Sequence, residues 1–145
     1  MTTEVLTTEE CLRLLRTQHV GRLAVMVDGY PMVFPVNFGL DGGTIVFRAG
    51  AGTKLTAAQH RNVGFEVDEV DQLHHTAWSV LVNGMAEIVT GDHDQEIVQR
   101  SRHLRIEPMA EGPKDHWVRI LPSSTSGRRI SREHALDLRL SAAYL

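Results

Sequence analysis

The sequence predicts a mainly β domain: about six antiparallel strands closed into a barrel, with short helices at the start, middle and end. Three observations predict it. Short β-branched and aromatic runs recur along most of the chain, separated by glycine-bearing turns such as Asp28-Gly29 and Asp41-Gly42-Gly43. No regular strand–helix–strand alternation appears, which argues against a doubly wound parallel sheet. Closure is the simplest way for so many strands in 145 residues to avoid exposed edges.

The elements follow in order. Thr7 to Arg16 reads as a helix with Thr7 as N-cap and Glu10 at the capping-box position, and Cys11, Leu12 and Leu15 form its apolar side. Val20–Val27 is a strand, turned by Asp28-Gly29 into Met32–Gly39. Pro35 assigns that return strand to an edge or a bulge, because proline cannot donate to the ladder. Thr44–Phe47 is the next strand, and Thr53–His60 a short helix. Asn62–Asp71 alternates Val63, Phe65 and Val67 and ends in acidic residues. Trp78–Val89 is a long strand expected to bend or bulge near Gly84. Asp92–Leu104 reads as a polar helix, His116–Leu121 and Thr125–Ile130 as two strands, and Glu133–Leu140 as a terminal helix. The strands are expected in meander order.

Length fits one domain spanning residues 1–145, with a core of about 8–130 and a C-terminal extension, 131–145, whose Leu136, Leu138 and Leu140 dock on the body or on a second subunit. One cysteine, Cys11, excludes an internal disulfide framework and fits a reducing compartment. No apolar run approaches a membrane span and the N-terminus lacks signal-peptide character, so the expected location is cytoplasmic. A net charge of −3 gives no general attraction to nucleic acid or to an anionic membrane.

The segment from Thr44 to Leu55 carries the chemistry. A strand leads into a turn loosened by Gly50 and Gly52, then a Thr53-Lys54 pair opens a helix. Helix-start N–H groups lack partners and the helix dipole favours negative charge there, so the segment reads as a site for a phosphate monoester. Lys54 is one of only two lysines among 15 basic residues, the other being Lys114. The competing reading is an ordinary strand–turn–helix with one solvated lysine, since neither a Walker-type loop nor a dinucleotide-binding fingerprint is present.

Other candidates are weaker. Eight histidines are scattered without a metal-ligand pattern, and His74-His75 reads as a solvated loop pair. Glu66, Asp68, Glu69 and Asp71 read as a solvated strand end, Trp78 and Trp117 as core or interface residues, and Cys11 as a small hydrophobe. No metal site is assigned, and no catalytic acid, base or nucleophile stands out.

In this order the chain resembles the flavin-binding split-barrel superfamily, nearest its pyridoxamine 5′-phosphate oxidase-like, nitroimidazole-reductase-like and actinobacterial members. The residues that carry the resemblance are Val20–Val25, Pro35–Phe38, Phe47–Leu55, Val63–Asp68, Trp78–Gly84 and His116–Ile120. The resemblance implies a six-stranded antiparallel split β-barrel and a flavin-dependent oxidoreductase. It implies FMN as cofactor, with the deazaflavin F420 as the alternative, and a homodimer with two interfacial sites. By position it implies cofactor contacts at Val36, Asn37, Phe38, Phe47, Arg48, Thr53, Lys54, Leu55 and Ser79. Residues near His116, Trp117 and Arg128 would complete a second subunit's site. Some relatives bind haem, which makes one axial histidine a further alternative, and a flavin holder without turnover is another. Thr53-Lys54 stands where pyridoxamine phosphate oxidases carry Arg-Lys, and Gly127–Ile130 departs from their substrate motif, so vitamin B6 oxidation is not expected.

Overall fold

The computed structural model describes residues 1–90, 95–106 and 116–132, with residues 53–55 described by backbone alone. Its elements are β1 (Thr2–Leu6), α1 (Thr8–Leu15), β2 (Val20–Val27), β3 (Tyr30–Asp41), β4 (Thr44–Ala49), α2 (Thr53–Ala58), β5 (Asn62–Asp71), β6 (Thr76–Val89), α3 (Gln95–His103) and β7 (His116–Ser131). The helix expected over Glu133–Leu140, the tail leucines, Lys114 and the start of the helix expected from Asp92 lie outside the described residues.

All strands pair antiparallel, in the order β1-β7-β4-β3-β2-β5-β6, and β7 also pairs β6. Strands β2 to β7 therefore form a closed ring of six, with β1 added beside β7. The order departs from a simple meander: after β4 the chain crosses through α2 and returns as β5 on the far side of β2. A small strand count separates expectation from structure. Thr2–Leu6, to which the sequence assigns no element, is a strand paired along Gly127–Ser131. The two strands expected at the C-terminus are one, β7, which runs through Leu121-Pro122-Ser123-Ser124 without a break.

Proline and glycine explain the local shape. The β3 segment containing Pro35 pairs with β2, while β4 takes over only from Phe38 onward, so the missing N–H falls where β3 has one neighbour. Asp28 and Gly29 both have positive φ (50° and 80°), the twist a tight hairpin needs. The β6–β7 register shifts between Asn83 and Gly84, opposite Pro122. A Cβ on Gly84 would overlap the Leu121 carbonyl, so only glycine lets β7 approach this closely.

The core fills the ring. Leu23, Phe65, Val80, Ile45 and Ile120 are fully buried, and Phe38 meets Phe65 edge-on at 5.1 Å between ring centres. α1 packs Cys11, Leu14 and Leu15 against this core. Its capping box is formed: Thr7 Oγ1 accepts from the Glu10 N–H at 3.2 Å, and the Thr7 N–H donates to Glu10 Oε2 at 2.7 Å. Gly127 admits the helix, since a Cβ there would lie 2.8 Å from Cys11 Sγ. Among the described residues no helix is long and apolar enough to cross a membrane.

Candidate functional site

The corner where β4 ends is built by a strand buried on both faces and then by glycine. Ile45, Val46, Phe47 and Ala49 are buried, which clamps β4 between β3 and β7. The chain leaves the sheet through residues 50–52, where Gly52 has φ +149° and nothing lies within 4 Å of the Cβ it lacks. The Thr56 N–H donates to the Gly52 carbonyl at 3.0 Å, so α2 begins at Thr53 and its first N–H groups have no carbonyl one turn earlier. The far end of α2 is pinned to β6: the His60 N–H reaches the Ala86 carbonyl and the Ala86 N–H reaches the Arg61 carbonyl, each at 2.9 Å. Beside α2, Arg61, Thr56, Ala57 and the β2–β3 hairpin enclose a cavity of about 370 Å³. Open space at Gly52 and helix-start N–H groups that have no carbonyl one turn earlier are chemically compatible with the phosphate of a flavin nucleotide.

Strands β3 and β4 bring together most of the residues expected at the cofactor. Phe38 pairs across from Phe47, and the turn to α2 follows two residues beyond Phe47. Val36 is 2% exposed, Phe38 4% and Phe47 1%. In a single chain these three side chains therefore belong to the barrel core, and what β3 and β4 offer at those positions is backbone. Asn37 and Arg48, one step out of phase, are half-buried on the other face. Arg48 sits 5.3 Å from the Trp117 ring, its cross-strand neighbour, and Nη1 donates to the Ile106 carbonyl at 3.5 Å. Ile106 is buried against Gly39, where a Cβ would come within 3.2 Å of its Cδ1. Thr53, Lys54 and Leu55 stand at the start of α2 by backbone position.

Toward the other end of β4, where β3 turns into it, lies a charged group that sequence reasoning missed. Arg119, 6% exposed, bridges Asp41 at 3.2 Å, and Arg100 from α3 reaches the same carboxylate oxygen at 3.2 Å. Among the described residues the buried Nε and Nη1 atoms of Arg119 have no hydrogen-bond partner. An arginine within the apolar alternation Val118-Arg119-Ile120 is the only sequence signal, and it looks like an ordinary outward residue.

Ser79 is elsewhere. It lies on the outward face of β6, between Asp68 of β5 and Arg128 of β7. Trp117 and Arg128 are separated along β7 by roughly 35 Å of strand at the usual rise per residue. One chain therefore does not bring Ser79 to the β4–α2 corner. Ser79 and Arg128 instead line a cleft of about 650 Å³ with Glu66, Leu81, Ser126 and Val5. Here Arg22 Nη1 meets Glu66 Oε2 at 3.1 Å and Asp68 Oδ2 at 3.4 Å. Burial, then the neighbouring Asp68, raise the Glu66 carboxyl above the usual range, with Arg22 acting against them.

The acidic strand end is otherwise committed to local contacts: the Trp78 Nε1–H donates to Glu69, and Asp71 holds His74 at 2.6 Å. The His74 contacts keep the Asp71 carboxyl below its usual value. Cys11 is a buried thiol whose ionisation burial pushes up. Among the described residues no group of three or more His, Cys, Asp or Glu side chains is placed to hold a metal.

Comparison with known proteins agrees with this fold. Residues 7–129 match the pyridoxamine 5′-phosphate oxidase family. The FAD-binding protein of Mycobacterium smegmatis superposes with a TM-score of 0.75 at 35% identity, covering 88% of this chain and 99% of that one. An FAD-binding protein of Mesorhizobium loti gives 0.73 at 30% identity, covering 91% and 99%. An uncharacterised protein of Mycobacterium tuberculosis is 30% identical over 128 residues, 84% of this chain and 82% of that protein. With the closed ring of strands, the glycine-opened corner and a match over nearly its whole length, this chain belongs to the pyridoxamine 5′-phosphate oxidase-like family of flavin-binding split-barrel proteins.

Proposed function

We propose that this protein binds a flavin nucleotide between two copies of itself and serves as a small oxidoreductase. The observation that carries the reading is the β4–Gly52–α2 corner, where strand backbone, open space and helix-start N–H groups meet. Thr53 and Lys54 capture the phosphate nearest the ribityl chain, with Leu55 next in the chain. The backbone of Val36–Phe38 and of Phe47, with the Asn37 and Arg48 side chains, borders the ring. When bound, the flavin accepts or releases a hydride or single electrons, and the protein's part is to bind, orient and shield it. FMN and FAD share the phosphate that this corner would hold. The two similar solved proteins are named for FAD, which adds it to FMN as a cofactor to test, with F420 as the alternative.

The dimer rests on the outward face of β2, β3, β5 and β6. Val20, Met26, Val33, Leu81 and Met85 are exposed there, an apolar surface of the kind that marks an interface. Arg22 and Arg128 share that face with Glu66 and Asp68, so the patch is self-complementary in charge, as a two-fold interface requires. Pairing would also supply the second copy's Ser79 and Arg128 to a site that one chain cannot complete.

The test is an absorption spectrum of the purified protein with FMN, FAD and F420 added in turn, and mass spectrometry of whatever cofactor it retains. A flavin band with saturable affinity supports the reading, and no affinity for any of the three overturns it. A second reading, a flavin holder without turnover, is favoured by the lack of a carboxylate, histidine or thiol among the residues proposed to contact the cofactor. Bound flavin that no nicotinamide donor reduces would select it.

A further inference from the structure

We propose that self-association of this protein is proton-linked, with Glu66 as the group that takes up the proton when the two copies dock. The inference rests on the dimer reading above and adds its regulation.

The sheet register arranges the charges. Arg22, Glu66, Leu81 and Ser126 form one cross-strand row, and Asp68, Ser79, Arg128 and Val5 form the next. Two carboxylates thus share one guanidinium: Arg22 is 3.1 Å from Glu66 and 3.4 Å from Asp68. The Arg22 side chain is 52% exposed, so solvent carries part of the balance in a single copy. Around the group the face is apolar or small, with Ala24, Gly64, Leu81 and Met26. The charged groups on this face near Glu66 are Arg22 from β2, Asp68 from its own strand and, across the cleft, Arg128 from β7. Leu81 and Ser79 of β6 do not titrate in this range.

Docking a second copy removes the water that now solvates the two carboxylates beside Arg22. A carboxylate moved into a drier site next to another carboxylate favours its protonated form. Burial and Asp68 already raise Glu66 in the single chain, and docking acts in the same direction. The sign follows by linkage. If the associated form binds more protons than two separate copies, association strengthens as pH falls through the Glu66 transition and levels off once both forms are protonated. One to two protons per dimer correspond to a dissociation constant that falls about ten- to a hundredfold per pH unit within that window. Protonated Glu66 keeps a donor for Asp68, so the pair becomes a neutral acid hydrogen-bonded to one carboxylate that Arg22 balances.

The experiment is sedimentation equilibrium of the full-length protein from neutral to mildly acidic pH, with near-ultraviolet circular dichroism to confirm the fold at each pH. Wild type is expected to associate more tightly as pH falls. Glu66→Gln is expected to associate at neutral pH as wild type does at acidic pH, with the slope lost. Asp71→Asn, a carboxylate paired with His74, is expected to keep the slope. A dimer whose affinity ignores pH, or weakens on acidification because an arginine of the second copy holds Glu66 ionised, overturns the proposal and leaves the dimer standing. A monomer at every pH overturns both.

Discussion

The two faces of β2, β5 and β6 are made by the same backbone and obey opposite rules. Inward, Leu23, Phe65, Val67, Val80 and Val82 are packed without exposure or nearly so, and every one is apolar. Outward, the same strands carry Arg22, Glu66, Asp68, Ser79 and Asn83 among exposed Met26, Leu81 and Met85. An antiparallel sheet with one wet face normally alternates apolar with polar. Here the outer face is mixed, too apolar for a surface that meets only water and too charged for a core. The inner face holds the fold together, and the outer face is where stability can be varied little while association is varied greatly.

Substitutions can separate the two. Phe65→Ala empties the centre of the inner face and should cost about 3–5 kcal/mol in urea unfolding. Gly84→Ala forces a Cβ into the Leu121 carbonyl at the bulge and should cost up to about 3 kcal/mol, read as a fall in thermal midpoint. Lys54→Ala should leave the unfolding midpoint unchanged. It should weaken flavin binding by about 1.5–3 kcal/mol in a fluorescence titration, the worth of a charged contact to phosphate. Thr7→Ala removes the α1 cap and should cost about 1 kcal/mol. Its pH dependence is distinctive. The Thr7 backbone N–H first, and then its hydroxyl, hold the Glu10 carboxyl below its usual value, so that contribution is present above the unfolded-state pKa and lost as pH falls through the folded one; the variant keeps the N–H and should lose only the hydroxyl's part of this acid sensitivity. Met85→Glu on the outer face should shift unfolding by no more than about 0.5 kcal/mol while abolishing the dimer in sedimentation; a large stability loss would place Met85 with the core instead.

The inner face was legible in the sequence because it is periodic. Val63, Phe65 and Val67 announce their side by alternation, and Thr7 with Glu10, Asp28-Gly29 and Gly84 mark ends and bends through local chemistry that acts within a few residues. The β4–α2 corner was legible for the same reason. What the sequence hid depends on register between distant segments. Glu66 and Asp68 read as a solvated strand end because nothing local says that Arg22, more than forty positions earlier, lies across from them. Arg119 carried no signal because its partner Asp41, and the Arg100 that shares that carboxylate, come from other elements. β1 was missed because Val5 and Leu6 are its only apolar residues, too few to show a period, and β7 was cut in two because Pro122-Ser123-Ser124 carries turn residues. Those residues lie opposite the Gly84 bulge, where a proline is tolerated.

Closure of the ring by β7 sets the order in which the protein can be made. Until His116–Ser131 has left the ribosome, β4, β6 and β1 all lack their shared neighbour, and the nascent chain exposes open sheet edges along each. Nearly the whole chain must be synthesised before the longest-range pairings form, which makes folding slow relative to a helical domain of this size and leaves a window for edge-to-edge aggregation. Synonymous slowing of translation ahead of residue 116 lengthens that window, and chaperone demand should rise with it.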